Sequence, residues 1–543
     1  MNYKIFDKNY ETIKDITIKE AIFNEKIGGN YIAAIIDGEI VSLNNKIKDN
    51  DKINLIDRYS DIGNSIYVDT LSLIFILATK KVFRDKNIRV NLEFSIGNGL
   101  YTTIENSNIT HECIKEIQDE MYNIINRDIP IEKEVVSDKV AKSLFEAEEY
   151  YEKIDLLESL NKKQVEIAIV DGKVFTFDNI LAPSTSYIDK FKIISYYPGI
   201  VIMYPDINTK QISKFEEQAN ISKVFSVSRK WTESLGVRFA GNLNQYVNNN
   251  SMDYLIDVNE SYYNIQLYKC ANIIASQDDL KIILISGPSS SGKTTTANRL
   301  KIELGVYGKK PVIISTDDYF LDRDKTPIND KGYKDFENID AIDIEKLNKD
   351  LLLLLEGKEV ELPKFNFVTG KSEPSGRKIK LDHKYPLIIE GIHSLNPRLS
   401  SGIPEKNKFK IYVSALTQVN IDSHNRIRTS DSRLIRRIVR DQNFRGYSPE
   451  YTLKVWQNVR DGEEKYIFPF QENADFYIDT SLVYEFNALK HEAIEDLSKI
   501  EKTSKFYPKA RRLISLLNNF ISLKDKNMIP KNSILREFIG GDI

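Results

Sequence analysis

The stretch ISGPSSSGKTTTANRL, Ile285 to Leu300, decides how the rest of the chain is read. It fits G-x-x-x-x-G-K-[ST] with Gly287, Gly292, Lys293 and Thr294, directly after the apolar run KIILIS and directly before a helical pattern. In that context small residues let successive backbone N–H groups turn inward around an anion. The helix adds its unpaired N-terminal amides and positive dipole end, and Lys293 adds a full charge. Gly287, Ser289, Ser290, Ser291, Gly292, Lys293, Thr294 and Thr295 are therefore the expected nucleotide-binding residues, with the Thr294 hydroxyl expected on magnesium. The chain has no N-K-x-D run to read guanine, so ATP with Mg2+ is the expected donor.

Strand and helix patterns alternate after this point: PVIIST, a helix near Ile342 to Leu355, PLIIE, KFKIYVSA, two helical stretches and ADFYID. Short all-apolar strands between helices predict an α/β fold, a parallel sheet covered on both faces. Ligands in such sheets sit at the carboxyl ends of the strands. There PVIIST runs into Asp317 and Asp318, and PLIIE ends on Glu390. Asp317 is placed to take a proton from an acceptor hydroxyl, with Asp318 read as a cap. Glu390 is placed as a direct or water-mediated magnesium partner, and His393 as a packed histidine. In DSRLIRRIVRD, Arg433, Arg436, Arg437 and Arg440 recur every three to four residues between apolar ones. On a helix this spacing gives one guanidinium face, suited to closing over phosphate oxygens, or else a solvated basic face.

The ordered set GPSSSGKT, STDDYF, KDFENIDAID, LPKFNF, IIEGIH, DSRLIRRIVRD and RGYSPE makes the segment from about 280 to 490 resemble the uridine kinase and phosphoribulokinase branch of P-loop kinases. The resemblance implies that Asp317 is the general base for a nucleoside 5′-hydroxyl and that Lys293 and Thr294 hold phosphate and magnesium. It implies further that Glu390 assists the metal and that Arg433, Arg436 and Arg440 form a lid. Lys293, Arg436 and Arg440 would then share catalysis with Asp317, while Glu337, Phe365 and Arg433 would contact the nucleoside. Two positions depart from the pattern. Glu337 stands where that family has a ribose-gripping aspartate, and Gly370 where it has a base-reading histidine. Glu337 can still accept from a diol and Phe365 can still stack on a base, but Gly370 offers no donor.

The residues before the phosphate loop mix elements differently. Residues 1–60 read as a small β-rich domain with one helix, 61–205 as an α+β unit and 206–278 as a helical bridge, ahead of a kinase domain over 279–543. The stretches YIAAIIDGEIVSLNNKIKDNDKINLID, FSIGNGLYTTIE, INRDIPIEKEVVS and LAPSTSYIDKFKIIS resemble the front of threonyl-tRNA synthetase, a ubiquitin-like TGS domain followed by the second additional, editing domain. The helix that carries H-x-x-x-H in that editing domain reads VDTLSLIFILA here, with Asp69 and Leu73 at the matching positions, and the later polar segment reads FDNILAPSTS. Leucine binds no metal and moves no proton, so the resemblance implies a retained fold without deacylation.

Composition bounds the rest. A chain of 543 residues exceeds one core, and Lys+Arg 76 against Asp+Glu 79 gives no general pull toward nucleic acid or an anionic surface. Two well-separated cysteines, Cys113 and Cys270, suggest neither a disulfide framework nor a zinc site. With no signal-peptide pattern and apolar runs such as LSLIFILA short of a membrane span, a cytoplasmic protein is expected, without membrane partners and with homo-oligomerisation open. The function expected first is an ATP-dependent kinase acting on a nucleoside 5′-hydroxyl. The alternatives are a P-loop kinase for a sugar phosphate or other small alcohol, and a tRNA- or RNA-binding regulator with a nucleotide switch, which the near-neutral charge disfavours.

Overall fold

The computed structural model describes residues 1–84, 87–329, 332–366, 368–382 and 385–541. In the C-terminal half a fully parallel five-stranded sheet runs in the order Val312–Ser315, Leu387–Glu390, Ile282–Ser286, Lys408–Ser414 and Phe476–Asp479. The strand that follows the phosphate loop in sequence thus lies at the edge, with Leu387–Glu390 between it and the loop strand. Register places Glu390 opposite Ile285 on one side and Ser315 on the other, so the three strand ends that carry the expected chemistry share one level. The strands are apolar on both faces because both faces are covered. Ile283, Ile285 and Ile411 join one core with the bridging helices, and Ile282, Leu284 and Ile389 join another on the opposite face.

The front of the chain builds three further sheets. Residues 2–57 form a mixed five-stranded sheet whose helix Ile18–Asn24 opens on a Thr17–Glu20 capping box. Behind it a four-stranded and a three-stranded antiparallel sheet surround the long helix Asp61–Phe83. This helix continues the LSLIFILA run to 23 residues and is long and apolar enough to cross a membrane, yet 83% of its apolar window is buried within the protein. It is a core helix, buried on nearly every side, which is why it lacks an amphipathic stripe. The acidic stretch SLFEAEEYYEKIDLLESL is shared between two helices, Asp138–Ala147 and Tyr151–Ser159, separated where Glu149 takes a φ of 60°.

Residues 206–278 supply the helices Ala219–Ser234, Ala240–Asn248 and Met252–Ala275. The last lies against the phosphate-loop helix Lys293–Val306, where the buried Tyr263 and Thr296 hydroxyls are 2.9 Å apart. The bridge is therefore part of the kinase body, not a tether: Val237, Leu255, Ile256 and Leu267 belong to the same core as Ala297, Ile411 and Leu489.

A loop of the C-terminal half is prominent among the contacts between the two halves. After the strand Lys408–Ser414, the kinase chain runs as a loop through residues 416–428 into the cleft of the front α+β unit. Ser423 O accepts from Leu92 N at 2.9 Å, Asn425 Oδ1 accepts from Asp178 N at 2.9 Å, and the Ser423 hydroxyl donates to Glu152 at 2.6 Å. Asp422 pairs with Lys153 at 3.0 Å with both side chains almost fully buried. His424 lies edge-on to Tyr150 with centroids 4.9 Å apart, and burial holds its imidazole well below its ordinary range.

Candidate active site

The phosphate loop has the geometry its sequence demands. The strand Ile282–Ser286 is buried throughout, Gly287 follows, and the helix starts at Lys293 after Gly292, whose φ of 82° is left-handed. Gly287 is compulsory for a second reason: a Cβ there would stand 2.0 Å from Val413 O. The Lys293 ammonium donates back to Pro288 O at 3.0 Å, across the loop. Burial lowers its pKa, against the opposing pull of Glu390 and Asp317. The Ser290 and Ser291 hydroxyls are buried without a hydrogen-bond partner among the described residues. Buried hydroxyls left without a protein partner at the start of a helix fit an anionic ligand.

The neighbouring strand ends converge on this nest. Asp317, in the short 3-10 turn Thr316–Tyr319 that follows the strand end registered opposite Glu390, is half-buried, and its charge acts on Lys293, Glu390 and Glu337. Glu390 lies 3.4 Å from the Thr294 hydroxyl, and burial, then the charge of Asp317, pushes its carboxyl up to about 7. Burial likewise pushes Glu337 up to about 7, opposed by Arg437 and Lys293. Glu337 packs against Gly462 of the helix Pro449–Tyr466, close enough that a Cβ on that glycine would overlap it. His393 is buried against Tyr466, and burial holds it neutral with a pKa of about 4.

Among the described residues no cluster of three His, Cys, Asp or Glu side chains could hold a metal alone. Thr294 and Glu390 instead form a two-residue edge, which fits a hard cation whose other ligands are phosphate oxygens and water. Such an ion would neutralise charge on the phosphates.

Several assignments need correction. Arg436 is fully buried, paired with Glu485 and donating to Thr480 O at 2.8 Å, so it is a strut behind the loop and no part of a lid. Arg433 is also buried. It forms a fork with Glu463, with Nη2 at 2.8 Å from Oε2, and donates to Ser289 O at 3.1 Å, holding the loop from outside without reaching a nucleoside. Burial alone would raise Glu463, but Arg433 and Arg460 keep it below the usual range, and it accepts from Ser289 N at 3.0 Å. The residue that reaches the loop's inner side is Arg437, whose Nη1 donates to the Ser289 hydroxyl at 2.8 Å.

Arg440 stays beside the cleft, paired with Asp441 at 3.1 Å. Burial, with Arg445 beside it, pushes its guanidinium down to about 10. Phe365 is only 4% exposed and sits edge-on to Phe320, so it is packed in the core and offers no ring face to a base. The cap of this turn is Ser315, not Asp318; Asp318 accepts from the Phe365 backbone, tying the strand Glu359–Asn366 to the turn Thr316–Tyr319. Gly370 closes the hairpin between Glu359–Asn366 and Lys371–Lys380 with a φ of 70°, and its carbonyl accepts from Arg323 N at 2.7 Å.

Sequence reasoning missed Glu463 and also Glu537, whose carboxylate accepts from the Thr295 hydroxyl at 2.7 Å. Neither lies in a local motif; they come from chain segments 174 and 242 residues away from the loop positions they touch.

Sheet order, phosphate loop and convergent carboxylates define a P-loop phosphotransferase. A model described as the phosphoribulokinase / uridine kinase family matches residues 282–483. A uridine kinase of Staphylococcus epidermidis is 29% identical over 198 residues, which are 36% of this chain and 86% of that protein. A threonine–tRNA ligase of Thermotoga petrophila is 26% identical over 187 residues, 34% of this chain. Those residues are 27% of the ligase, and the ligase matches fall on the N-terminal region. A solved structure described as a possible uridine kinase from Bacillus stearothermophilus aligns with 22% identity and a TM-score of 0.24, covering 27% of this chain and 78% of that one.

Proposed function

We propose that the protein is an ATP-dependent kinase that transfers the γ-phosphoryl group to the 5′-hydroxyl of a ribonucleoside, giving the nucleoside monophosphate. The observation that carries this reading is the register that sets Glu390, 3.4 Å from the Thr294 hydroxyl of the phosphate loop, opposite Ser315, two residues before Asp317. The loop amides and Lys293 hold the donor's phosphates, and Thr294 with Glu390 holds the magnesium edge. Asp317 accepts the proton of the attacking hydroxyl, and Arg437 and Arg440 face the charge that develops during transfer. Glu337, close to both Lys293 and Asp317, is the residue for the ribose diol.

The buried Phe365 ring and the glycine at 370 leave the base with neither an aromatic platform nor a histidine donor at those positions. This supports broad base tolerance, and it also keeps open an acceptor with no base, such as a small polyol or sugar phosphate. Release of ADP across a panel of ribonucleosides and sugar phosphates tests the two against one another. Turnover with several ribonucleosides supports the first reading; turnover with sugar phosphates alone replaces it with the second. The synthetase-like front is proposed as a structural partner of the kinase, with no nucleic acid bound.

A further inference from the structure

The C-terminal segment does not trail away from the kinase. From Ser533 to Gly540 it lies across the start of the phosphate-loop helix. Ile534, Leu535 and Phe538 are fully buried there, and Ile534 stands within about 3.1 Å of where a Cβ on Gly292 would be. Arg299 Nη1 donates to Asn532 O at 2.6 Å, and Asn443 Nδ2 donates to Phe538 O at 3.0 Å. Arg536 knots the segment on itself through Lys526 O at 3.0 Å and Gly540 O at 3.2 Å. Held this way, the segment presents one carboxylate to the cleft. Glu537 accepts a hydrogen bond from the hydroxyl of Thr295, the third residue of the helix, and its charge acts on Lys293, Glu390 and Arg440.

A helix N-terminus and its first hydroxyls bind phosphate oxygens in a loop of this kind, so a carboxylate resting there stands where the donor's phosphate chain must make its bonds. The backbone anchors keep the strap in place, whereas the Glu537 side chain is free to leave by rotating about its own bonds.

We propose that Glu537 is an internal anion that competes with the donor's phosphates for Thr295 and for the charge of Lys293, and so sets how tightly the cleft takes nucleotide. The inference rests on the nucleotide reading proposed above. When a nucleotide binds, the Glu537 carboxylate swings off Thr295, and the energy of that exchange, together with the like-charge contact that remains, is subtracted from the donor's affinity.

The test is calorimetric titration of the full chain, with magnesium, against ATP, ADP and adenosine, for wild type, Glu537→Gln and Glu537→Asp. Glu537→Gln keeps the shape and removes the charge. Its Kd for ATP and ADP is expected to fall roughly ten-fold, with adenosine binding and the unfolding temperature unchanged, because only a phosphate senses the charge. Glu537→Asp, which keeps the charge on a shorter arm, is expected between the two. Unchanged or weaker ATP binding by Glu537→Gln overturns the inference while leaving the nucleotide reading intact. Equal tightening for adenosine overturns it as well, since that is the mark of lost bulk and not of lost charge. Failure of every form to bind any nucleotide overturns the reading of the loop itself.

Discussion

The molecule has two clefts lined by carboxylates and helix ends, and they have opposite fates. In the front α+β unit, Asp69 accepts from Asn179 at 2.6 Å, Asp178 from Asn519 at 3.0 Å, and Lys153 is neutralised by Asp422. The loop through residues 416–428 enters this space and pairs with Leu92, Asp178, Glu152 and Lys153, with His424 Nδ1 and the Tyr150 hydroxyl left without a partner among the described residues. In the phosphate cleft the Ser290 and Ser291 hydroxyls find no partner among the described residues, and burial pushes the Glu390 and Glu337 carboxyls up to about 7. Buried polar groups that are fully paired build structure; those kept unpaired or electrostatically strained at some cost are where a ligand belongs. The synthetase-like cleft has become a socket, and the phosphate cleft remains a site.

The largest expected effect comes from the strained cleft. Asp317→Asn removes the base without changing shape, so turnover should fall by about two to four orders of magnitude while nucleotide affinity and unfolding temperature hold. Undiminished turnover would put the base elsewhere. The socket should behave in the opposite way. Lys153→Met leaves Asp422 buried without its partner and should cost roughly 3–5 kcal/mol in denaturant unfolding, with turnover per folded molecule unchanged. A loss of turnover out of proportion to stability would show that the front cleft takes part in the reaction.

The arginine helix Thr429–Arg440 draws the same contrast within one element. Arg436→Met breaks a buried pair with Glu485 and should lower stability. Arg437→Met, whose guanidinium meets the loop at Ser289, should spare stability and weaken donor binding by roughly ten-fold. Exchange of those two phenotypes would reverse the assignment.

The smallest effect is a slope. Glu390 is raised from an ordinary value of 4.5 to about 7, so between those pH values the folded protein binds more protons than the unfolded chain. Stability of the nucleotide-free protein from this group should therefore be full below about 4.5, fall as pH rises toward about 7, and level off beyond. Thermal scans of Glu390→Gln should show a shallower slope; an unchanged one would mean that Glu390 does not titrate in that range.

The legible part of this molecule was the part written locally. G-x-x-x-x-G-K-T names its own backbone turn, and a strand ending on an acid names its own end of the sheet, so Lys293, Thr294, Asp317 and Glu390 could be placed in one cleft before any coordinates. Helical spacing in DSRLIRRIVRD showed that arginines recur, but not which of them face protein. Arg433 and Arg436 point inward because Glu463 and Glu485, far along the chain, wait there, and that information is not in the helix. Phe365 was read as a platform for the same reason: an aromatic on a strand does not announce that Phe320 will cover it. Leu73 and Asp69 stand where the resembled editing helix has its histidines, but the entry of a loop more than 200 residues downstream into that cleft is a tertiary fact with no local sign.

The account stands most directly on one experiment: single-turnover incubation of the full chain with magnesium and γ-labelled ATP, offering a ribonucleoside or its 5′-deoxy counterpart. Label should pass to the ribonucleoside and not to the 5′-deoxy compound, and Asp317→Asn should abolish the transfer while still binding ATP. Label released only as inorganic phosphate, or carried equally by the 5′-deoxy compound, would contradict it.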